Sequence, residues 1–472
     1  MVSSLMEQEP MKRPSSLWLD QALDAPSTPC PRLAQNITAD VAIIGGGYVG
    51  LWTAIELNAR RPDLSITILE SDICGSGASG RNGGYVLSWW TKAPSLLAMW
   101  GEEVARDLIL KSEAAITQLD DFCKQEGIDA EFIRSGWVWG AASQSHNGAW
   151  ESGMHACAKL GVGNLELLDE AGAQRKSGGA DFRAAILDLT AALIHPGKLV
   201  RGLREAALRR GIQIFEHSPV EHLRRGRPAV LKTHQGSVAA KRVAIATNAW
   251  AASVRELSRS IAVVSSDIIA SPPVPDLLAK LGWQDGAGVN DSQQMVHYVR
   301  PTRDGRILAG KGGLASGFGG NVTDVMFSNE RRAGIVEDKF RQLYPGLGGL
   351  QMNSHWSGPV DRSADGLPII GTLPGHDHIA YAIGWSGNGV GPSQIGSKAV
   401  ASLLLGEKDE WSTLPIVRAP PKSMPPEPIR YIGSHVVRTA VRMRDTALAQ
   451  DKLPNALVNA IADLAPRGVE DK

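Results

Sequence analysis

Residues 40–50 read Asp40-Val41-Ala42-Ile43-Ile44-Gly45-Gly46-Gly47-Tyr48-Val49-Gly50 (DVAIIGGGYVG), a short apolar run that breaks into glycines and resumes as a helix. VAII is β-branched and uninterrupted by polar residues, as expected of a strand buried on both faces. Gly45, Gly47 and Gly50 have the G-x-G-x-x-G spacing. The first glycine permits the tight turn, the second lets a pyrophosphate approach the backbone, and the third lets helix and strand pack closely. LWTAIELNAR continues the helix with Leu51, Ala54, Ile55 and Leu57 apolar, and its N-terminal dipole faces the phosphates. The strand SITILE follows and ends at Glu70, 20 residues after Gly50, where a carboxylate is expected on a ribose 2′-OH. That acid disfavours NADP. The strand–turn–helix–strand unit alone does not separate NAD from FAD.

The remaining chain bounds the function. It has 472 residues, 43% of them hydrophobic, enough for two or three domains with real cores. Lys+Arg and Asp+Glu both number 49, so nothing suggests the basic footprint of a nucleic-acid binder. Cys30, Cys74, Cys123 and Cys157 are scattered, with no CxxC, so neither a disulfide framework nor a metal site is expected. The pair His376 and His378 in GHDH reads as a solvated loop. The N-terminal MVSSLMEQEPMKRPSS has no apolar core of a secretory signal, and no stretch reads as a membrane span. The expectation is a cytoplasmic protein without membrane or nucleic-acid partners, its oligomeric state left open.

Organisation follows from periodicity. Residues 1–35 read as a lead-in without clear pattern. ARDLILKSEAAITQLDDFCKQEG is an amphipathic helix stopped by Gly127, and GWVWGAA (136–142) a strand. PGKLVRGLREAALRRG from 196 is a helix with Pro early and Gly at its end, followed by the strand IQIFEH. Next comes a hairpin through Gln235-Gly236 and a buried strand, VAIAT. Residues 260–330 read as β-rich, and 430–449 as helical. The expected division is a lead-in (1–35), a discontinuous cofactor domain (36–98, 180–258 and 346–410), a substrate domain (99–179 and 259–345) and a partly helical C-terminal extension (411–472).

Three features favour flavin. GSGASGRNGG (75–84) follows the ribose acid directly, where a nicotinamide fold would enter its next helix. Its glycines let backbone approach a longer cofactor, and Arg81 can offset phosphate charge. The hairpin and the strand ending Ala246-Thr247-Asn248 return the chain to the same sheet. GWSGNGVGPS (384–393) opens a late helix whose N–H groups suit the electron-rich edge of a flavin. The cofactor-contact candidates in these stretches are Gly45, Gly47, Tyr48, Val49, Gly50, Glu70, Ser71, Gly77, Ala78, Ser79, Arg81, Asn82, Gly83, Gly84, Thr247, Asn248, Gly384, Gly387, Asn388, Gly389 and Val390.

With these residues in view, the sequence resembles the D-amino-acid-oxidase-type FAD-dependent oxidoreductases, which include glycine oxidase and sarcosine oxidase, and within them the γ-glutamylputrescine-oxidase-like branch. The resemblance is carried by DVAIIGGGYVGLWTAIEL, GASGRNGG, HPGKLVRGL, AIATNAW, HYVRPTRDGRILAG, DGLPIIG and GWSGNGVG, and spans roughly residues 17–445. It implies an α/β fold: a split Rossmann-like FAD-binding domain plus an α+β substrate domain on an antiparallel sheet. It places Gly45, Gly47, Gly50 and Glu70 on ADP, and Ser79, Arg81, Asn82 and Gly83 along the pyrophosphate and flavin. Val220 and Thr247 fall near adenine, and Gly387, Gly389 and Val390 near the isoalloxazine. Relatives that bind FAD covalently use a C-terminal cysteine or a histidine just after the ribose acid. This chain has no cysteine after Cys157 and carries Arg81-Asn82 in that loop, so FAD is expected to be non-covalent.

The resemblance also implies the reaction. Amino-acid oxidases of the family carry an arginine before DGxPxIG that clamps the substrate carboxylate as a fork. Here that stretch is Trp356-Ser357-Gly358-Pro359. Gly358 stands where the arginine would be, and Arg362 is expected to point elsewhere. An amine, or an N-substituted amino compound whose carboxylate is bound remotely or not at all, is the expected substrate. Hydride passes from the α-carbon to flavin N5, the imine hydrolyses to an aldehyde and an amine or ammonia, and O₂ reoxidises the flavin to give H₂O₂. Lys311 is a candidate cation for that last step. Tyr298 is a hydrogen-bonding candidate, its phenol (ordinary pKa ~10) a poor base at neutral pH. Trp385 would wall the pocket and attract an ammonium. His297, Arg300, Trp89, Trp90 and Trp250 complete the substrate-side candidates. An FAD-dependent dehydrogenase serving an electron carrier is the alternative reading, and a non-catalytic flavoprotein a further one.

Overall fold

The computed structural model describes residues 15–284 and 286–466; residues 1–14 of the lead-in and 467–472 of the extension lie outside the described residues. The strand Asn36–Ile44 lies between two parallel neighbours, Ile66–Leu69 and Ser237–Ile245, with Ile43 opposite Ile68 on one side and Ala244 on the other. Val41, Ala42 and Ile43 are fully buried, as the unbroken apolar run predicts for a strand covered on both faces. The helix Tyr48–Arg60 makes the first crossover. A Cβ on Gly50 would fall 2.0 Å from the Gly45 carbonyl oxygen, so only glycine lets helix and strand approach this closely. The full sheet has eight strands, with Gln213–Phe215 at one edge and Ile369–Leu373 at the other, and the 222–232 hairpin added to Ser237–Ile245.

A second eight-stranded sheet is mostly antiparallel. Its strands Ala262–Ala270, Ile307–Ser316, His297–Pro301 and Ser354–Arg362 carry the surface that faces the first sheet's loops. Sheet membership moves two expected boundaries. Ala184–Asp188 pairs with Trp137–Ala141, and Ser354–Arg362 with Ala262–Ala270, so both belong to the second sheet although they fall in the segments 180–258 and 346–410 assigned to the cofactor domain. Alternation of buried positions does not say which of two sheets a strand joins.

Local chemistry sets the helix ends. Pro196–Arg209 begins at His195, whose Nδ1 accepts from the Lys198 N–H at 3.1 Å; burial pulls that imidazole down to about 3 and keeps it neutral. Ala93–Glu126 is interrupted at Gly101 and ends at Gly127 in the left-handed conformation. The helix Leu17–Leu23 lies inside the expected lead-in. Ser16 caps it, accepting from the Leu19 N–H at 3.1 Å, and Trp18 is buried. A helix of seven residues is too short to show a period. GHDH begins the strand His376–Ile383 rather than a solvated loop, and His378 is buried with Nε2 2.9 Å from the Gly226 carbonyl oxygen.

Candidate active site

A cavity of about 860 Å³ runs from the carboxyl ends of the first sheet's strands to the face of the second sheet. Position alone makes it the ligand site of such a fold. At one end lie Gly45, Gly47, Tyr48, Val49, Glu70 and Ser71, with Val220 and Thr247 opposite. Gly45 has φ +107°, and a Cβ there would sit 2.5 Å from the Ala246 carbonyl oxygen. A Cβ on Gly47 would sit 2.9 Å from Ser79 Oγ. The turn thus keeps a side-chain-free cradle at the helix N-terminus, as a pyrophosphate requires. Glu70 is held by its own turn: Oε2 accepts from the Gly46 N–H at 2.8 Å, and Oε1 from the Asp72 N–H at 2.9 Å and from Ser71 Oγ at 3.0 Å. Burial pushes its carboxyl up, against the pull of those donors. Oε1 thus has both lone pairs engaged, and Oε2 keeps one for a ribose hydroxyl.

The middle of the cavity is lined by Gly77, Ala78, Ser79, Arg81, Asn82 and Gly83. Arg81 is buried; its Nε donates to the Ser76 carbonyl at 2.7 Å, its Nη1 to the Ser357 carbonyl at 3.3 Å, and it lies 4.8 Å over the Phe327 ring. It therefore faces the second sheet rather than the Gly45–Gly50 turn. Trp356 Nε1 donates to the Arg81 carbonyl at 2.9 Å. Asn248, Gly387, Gly389 and Val390 complete this part. Gly50, Gly84, Gly384 and Asn388, expected as contacts, do not line the cavity: Gly50 packs helix on strand, Gly84 lies under Arg300 and the Ile194 carbonyl, Gly384 packs on Ser363, and Asn388 turns to the Ser88 carbonyl at 3.4 Å.

Of the substrate-side candidates, the structure brings Tyr298, Trp250 and Trp385 to the cavity and leaves five behind its wall. The Tyr298 hydroxyl is 2.9 Å from Ser266 Oγ, and burial pushes its phenol above its ordinary range, which keeps it protonated and placed to hydrogen-bond. Trp385 packs the far edge of its indole toward Gly396, where a Cβ would be 2.5 Å away. Trp250 lies beside Gly77 and tilts on Phe327 at 6.1 Å. Arg300 is buried with Nη1 donating to the Gly83, Gly84 and Ile194 carbonyls, and burial pulls it down to about 10; it holds the glycine loop. His297 is buried, its imidazole pushed well below its ordinary range by burial and by the charge of Lys311. Lys311 is buried as well, its ammonium on the Met295 carbonyl behind the wall. Trp90 donates to Asp188 at 3.0 Å in a core with Trp137 and Trp139. Trp89 is buried, its backbone N–H on Ser112 Oγ at 2.9 Å. Aromatic and cationic residues near a motif carry the same sequence signal in core and pocket.

The cavity is also lined or supported by residues of the strand Ser354–Arg362 that were not expected as contacts. Arg362, expected to point elsewhere, lines the cavity, and its Nη2 is 3.7 Å from where a Cβ on Gly312 would stand. Gly358 also lines it, with space for a Cβ only 3.1 Å from Arg81 Cβ. Between them, Asp361 is fully buried. Its carboxylate accepts from the Gly384 N–H at 2.6 Å, the Trp385 N–H at 3.1 Å and the Asn248 amide at 2.9 Å. It ties the second sheet to two loops of the first, and burial pushes it up to about 7. Alternation along Ser354–Arg362 would have exposed the shared face of Gly358, Val360 and Arg362. Among the described residues, no group of three or more His, Cys, Asp or Glu is placed to hold a metal, and no helix is long and apolar enough to cross a membrane.

Comparison with known proteins agrees with this geometry. Residues 40–403 match the family model described as FAD dependent oxidoreductase (DAO). The chain is 29% identical over 386 residues to gamma-glutamylputrescine oxidoreductase of Escherichia coli (strain K12), covering 81% of this chain and 87% of that one. It is 27% identical over 379 residues to glycine oxidase of Pseudomonas aeruginosa, covering 78% and 95%. The crystal structure of glycine oxidase from Geobacillus kaustophilus superposes with a TM-score of 0.68 at 22% identity, over 81% of this chain and 98% of that one. L-proline dehydrogenase from P. horikoshii does so at 0.65 and 19%, over 82% and 96%; these two likenesses speak for the fold. With the family model spanning the glycine turn, the GASGRNGG loop and the late helix, the chain belongs to the DAO family of FAD-dependent oxidoreductases.

Proposed function

We propose that the protein oxidises the C–N bond of an amine or N-substituted amino compound, using non-covalently held FAD and O₂. The observation that carries the substrate class is the bare strand position Gly358 beside Arg81, with the guanidinium of the same strand at Arg362 instead. At about 3.3 Å per residue the two positions are some 13 Å apart, so an acid group held at Arg362 lies remote from where the family's carboxylate clamp would act. FAD supplies the hydride acceptor. The Tyr298–Ser266 pair and Asn290 offer hydrogen bonds that orient the amine. Leu87, Val264, Val296 and Trp385 supply apolar walls that exclude bulk water. Non-covalent attachment is supported by Cys74, the cysteine nearest the glycine turn: it is buried outside the cavity, its thiol pushed well above the ordinary range by burial.

The test is an anaerobic visible spectrum of the purified protein mixed in turn with amines and simple amino acids, then opened to air with a peroxide assay. Bleaching of the flavin bands by an amine but not by glycine or D-alanine, with peroxide on re-aeration, is the expected result. Bleaching by a simple α-amino acid would overturn the substrate class. Bleaching without peroxide on re-aeration would identify a dehydrogenase.

A further inference from the structure

The family match ends at residue 403; the helices Ile429–Ala449 and Ala456–Ala462 lie beyond it. They pack on the second sheet, against the loop that joins Gly288–Asp291 to His297–Pro301. Met295 at its centre is buried against Ala440, Val441 and Ala462. Asp445, itself buried, accepts from the Gln294 N–H through Oδ1 at 3.0 Å and from the Met295 N–H through Oδ2 at 3.1 Å. Arg444 bonds the Gln294 side chain. The same helix reaches Ile307–Ser316 through Arg438, which donates to the Leu314 carbonyl at 3.1 Å, and through Ser434, 3.0 Å from Ser316 Oγ.

That loop is a wall of the cavity. Asn290 precedes it and Val296 ends it, and both line the substrate end. The Val296 carbonyl accepts from the Gly312 N–H at 3.3 Å. Gly313, with φ +80°, has Met295 Cε 3.5 Å from where its Cβ would be; Gly312 and Gly313 line the cavity too. Two backbone N–H groups on one buried carboxylate are charge-assisted bonds; an amide in its place keeps one acceptor oxygen and sets its own N–H₂ against the second backbone donor, which is left without an acceptor. The loop must then move to find another, and Val296 moves with it.

We propose that the C-terminal helix pair braces the substrate chamber, and that Asp445 is a positioning residue that sets the Asn290–Val296 wall and so which amines the chamber admits. The inference rests on the amine-oxidation reading above for its substrate, but not for its geometry.

The test compares holoenzyme carrying Asp445→Asn with wild type and with Ser143→Ala. Ser143 Oγ donates to the Leu448 carbonyl at 2.8 Å, so its variant loosens the same helix without touching the loop. Amide hydrogen exchange at Gln294 and Met295 should quicken by roughly tenfold or more in Asp445→Asn alone. For the amine that bleaches the flavin, KM should rise about fivefold or more while kcat and the FAD dissociation constant stay within about twofold. Unchanged exchange, or faster exchange with KM unchanged, would overturn the proposal. So would a joint fall of kcat, KM selectivity and FAD affinity, or the same KM shift in Ser143→Ala, since either marks a general loss of structure. If no amine bleaches wild type, the functional reading fails by itself. Acrylamide quenching of the bound flavin's fluorescence then decides the brace: a severalfold rise in Asp445→Asn supports it, and an unchanged value refutes it.

Discussion

Asp361 shows how one buried carboxyl couples the two sheets and carries a pH signature. Its ordinary value is 3.8, and burial raises it to about 7 in the folded protein despite two backbone N–H donors and the Asn248 amide. Between those values the folded chain keeps a proton that the unfolded chain has released. The unfolded state therefore binds fewer protons, and stability falls as pH rises. The contribution of this group is fully present below the unfolded value and lost as pH passes through 7. Urea unfolding at several pH values between 4 and 8 should show a downward slope in wild type that is shallower in Asp361→Asn; equal slopes would refute the assignment. Arg362, the next residue, bears on substrate choice. If it holds a remote acid group, Arg362→Met should raise KM for an acid-bearing amine by about 10- to 100-fold, the worth of a charged hydrogen bond, and leave KM for an amine without an acid group within about threefold. Steady-state kinetics with a matched pair of amines checks both halves.

At the scale of elements, the strand–turn–helix unit at Asn36–Arg60 was legible because three constraints coincide there: a doubly buried strand, glycines where no Cβ fits, and a helix rich in apolar residues that is buried over most of its length. The helix Leu17–Leu23 was not, since two turns give no period and its anchor is tertiary. Ser16 Oγ donates to the Gly80 carbonyl at 2.6 Å while capping the helix, and Trp18 Nε1 donates to the Asn82 carbonyl at 2.9 Å. This short helix thus pins the end of the GASGRNGG loop. Ser16→Ala should cost about 1–2 kcal/mol of stability from the lost cap and also weaken FAD binding, because the loop it holds lines the cavity. Denaturant unfolding and fluorescence titration with FAD measure the two effects; a stability loss with unchanged FAD affinity would show that the pin does not reach the site. Trp90, Lys311 and Arg362 mark the other limit of sequence reading. Side-chain type predicts what each can do, but only the strand a residue sits on, and the face it presents, decides whether it meets the cavity.

On the scale of the whole molecule, the cavity is the seam between the two sheets. Its walls come from the turns of the first sheet and from Val264–Ser266, Gly312 and Gly358 of the second. Direct ties across it include Asp361 to Gly384, Trp385 and Asn248, Trp356 to the Arg81 carbonyl, Arg81 to the Ser357 carbonyl, and Arg300 to the Gly83 and Gly84 carbonyls. A cofactor filling that seam would contact both bodies at once, so its binding energy stabilises the pair and not one sheet alone. A ligand that binds only the folded state adds RT ln(1 + [L]/Kd), about 2.7 kcal/mol at one hundred times Kd and about 1.4 kcal/mol for each further decade. Calorimetry of the apoprotein at rising FAD concentration should therefore show a single unfolding transition that moves steadily upward. Two transitions, only one of them responding to FAD, would mean that the second sheet folds without the cofactor and that the seam is a surface of the first sheet alone.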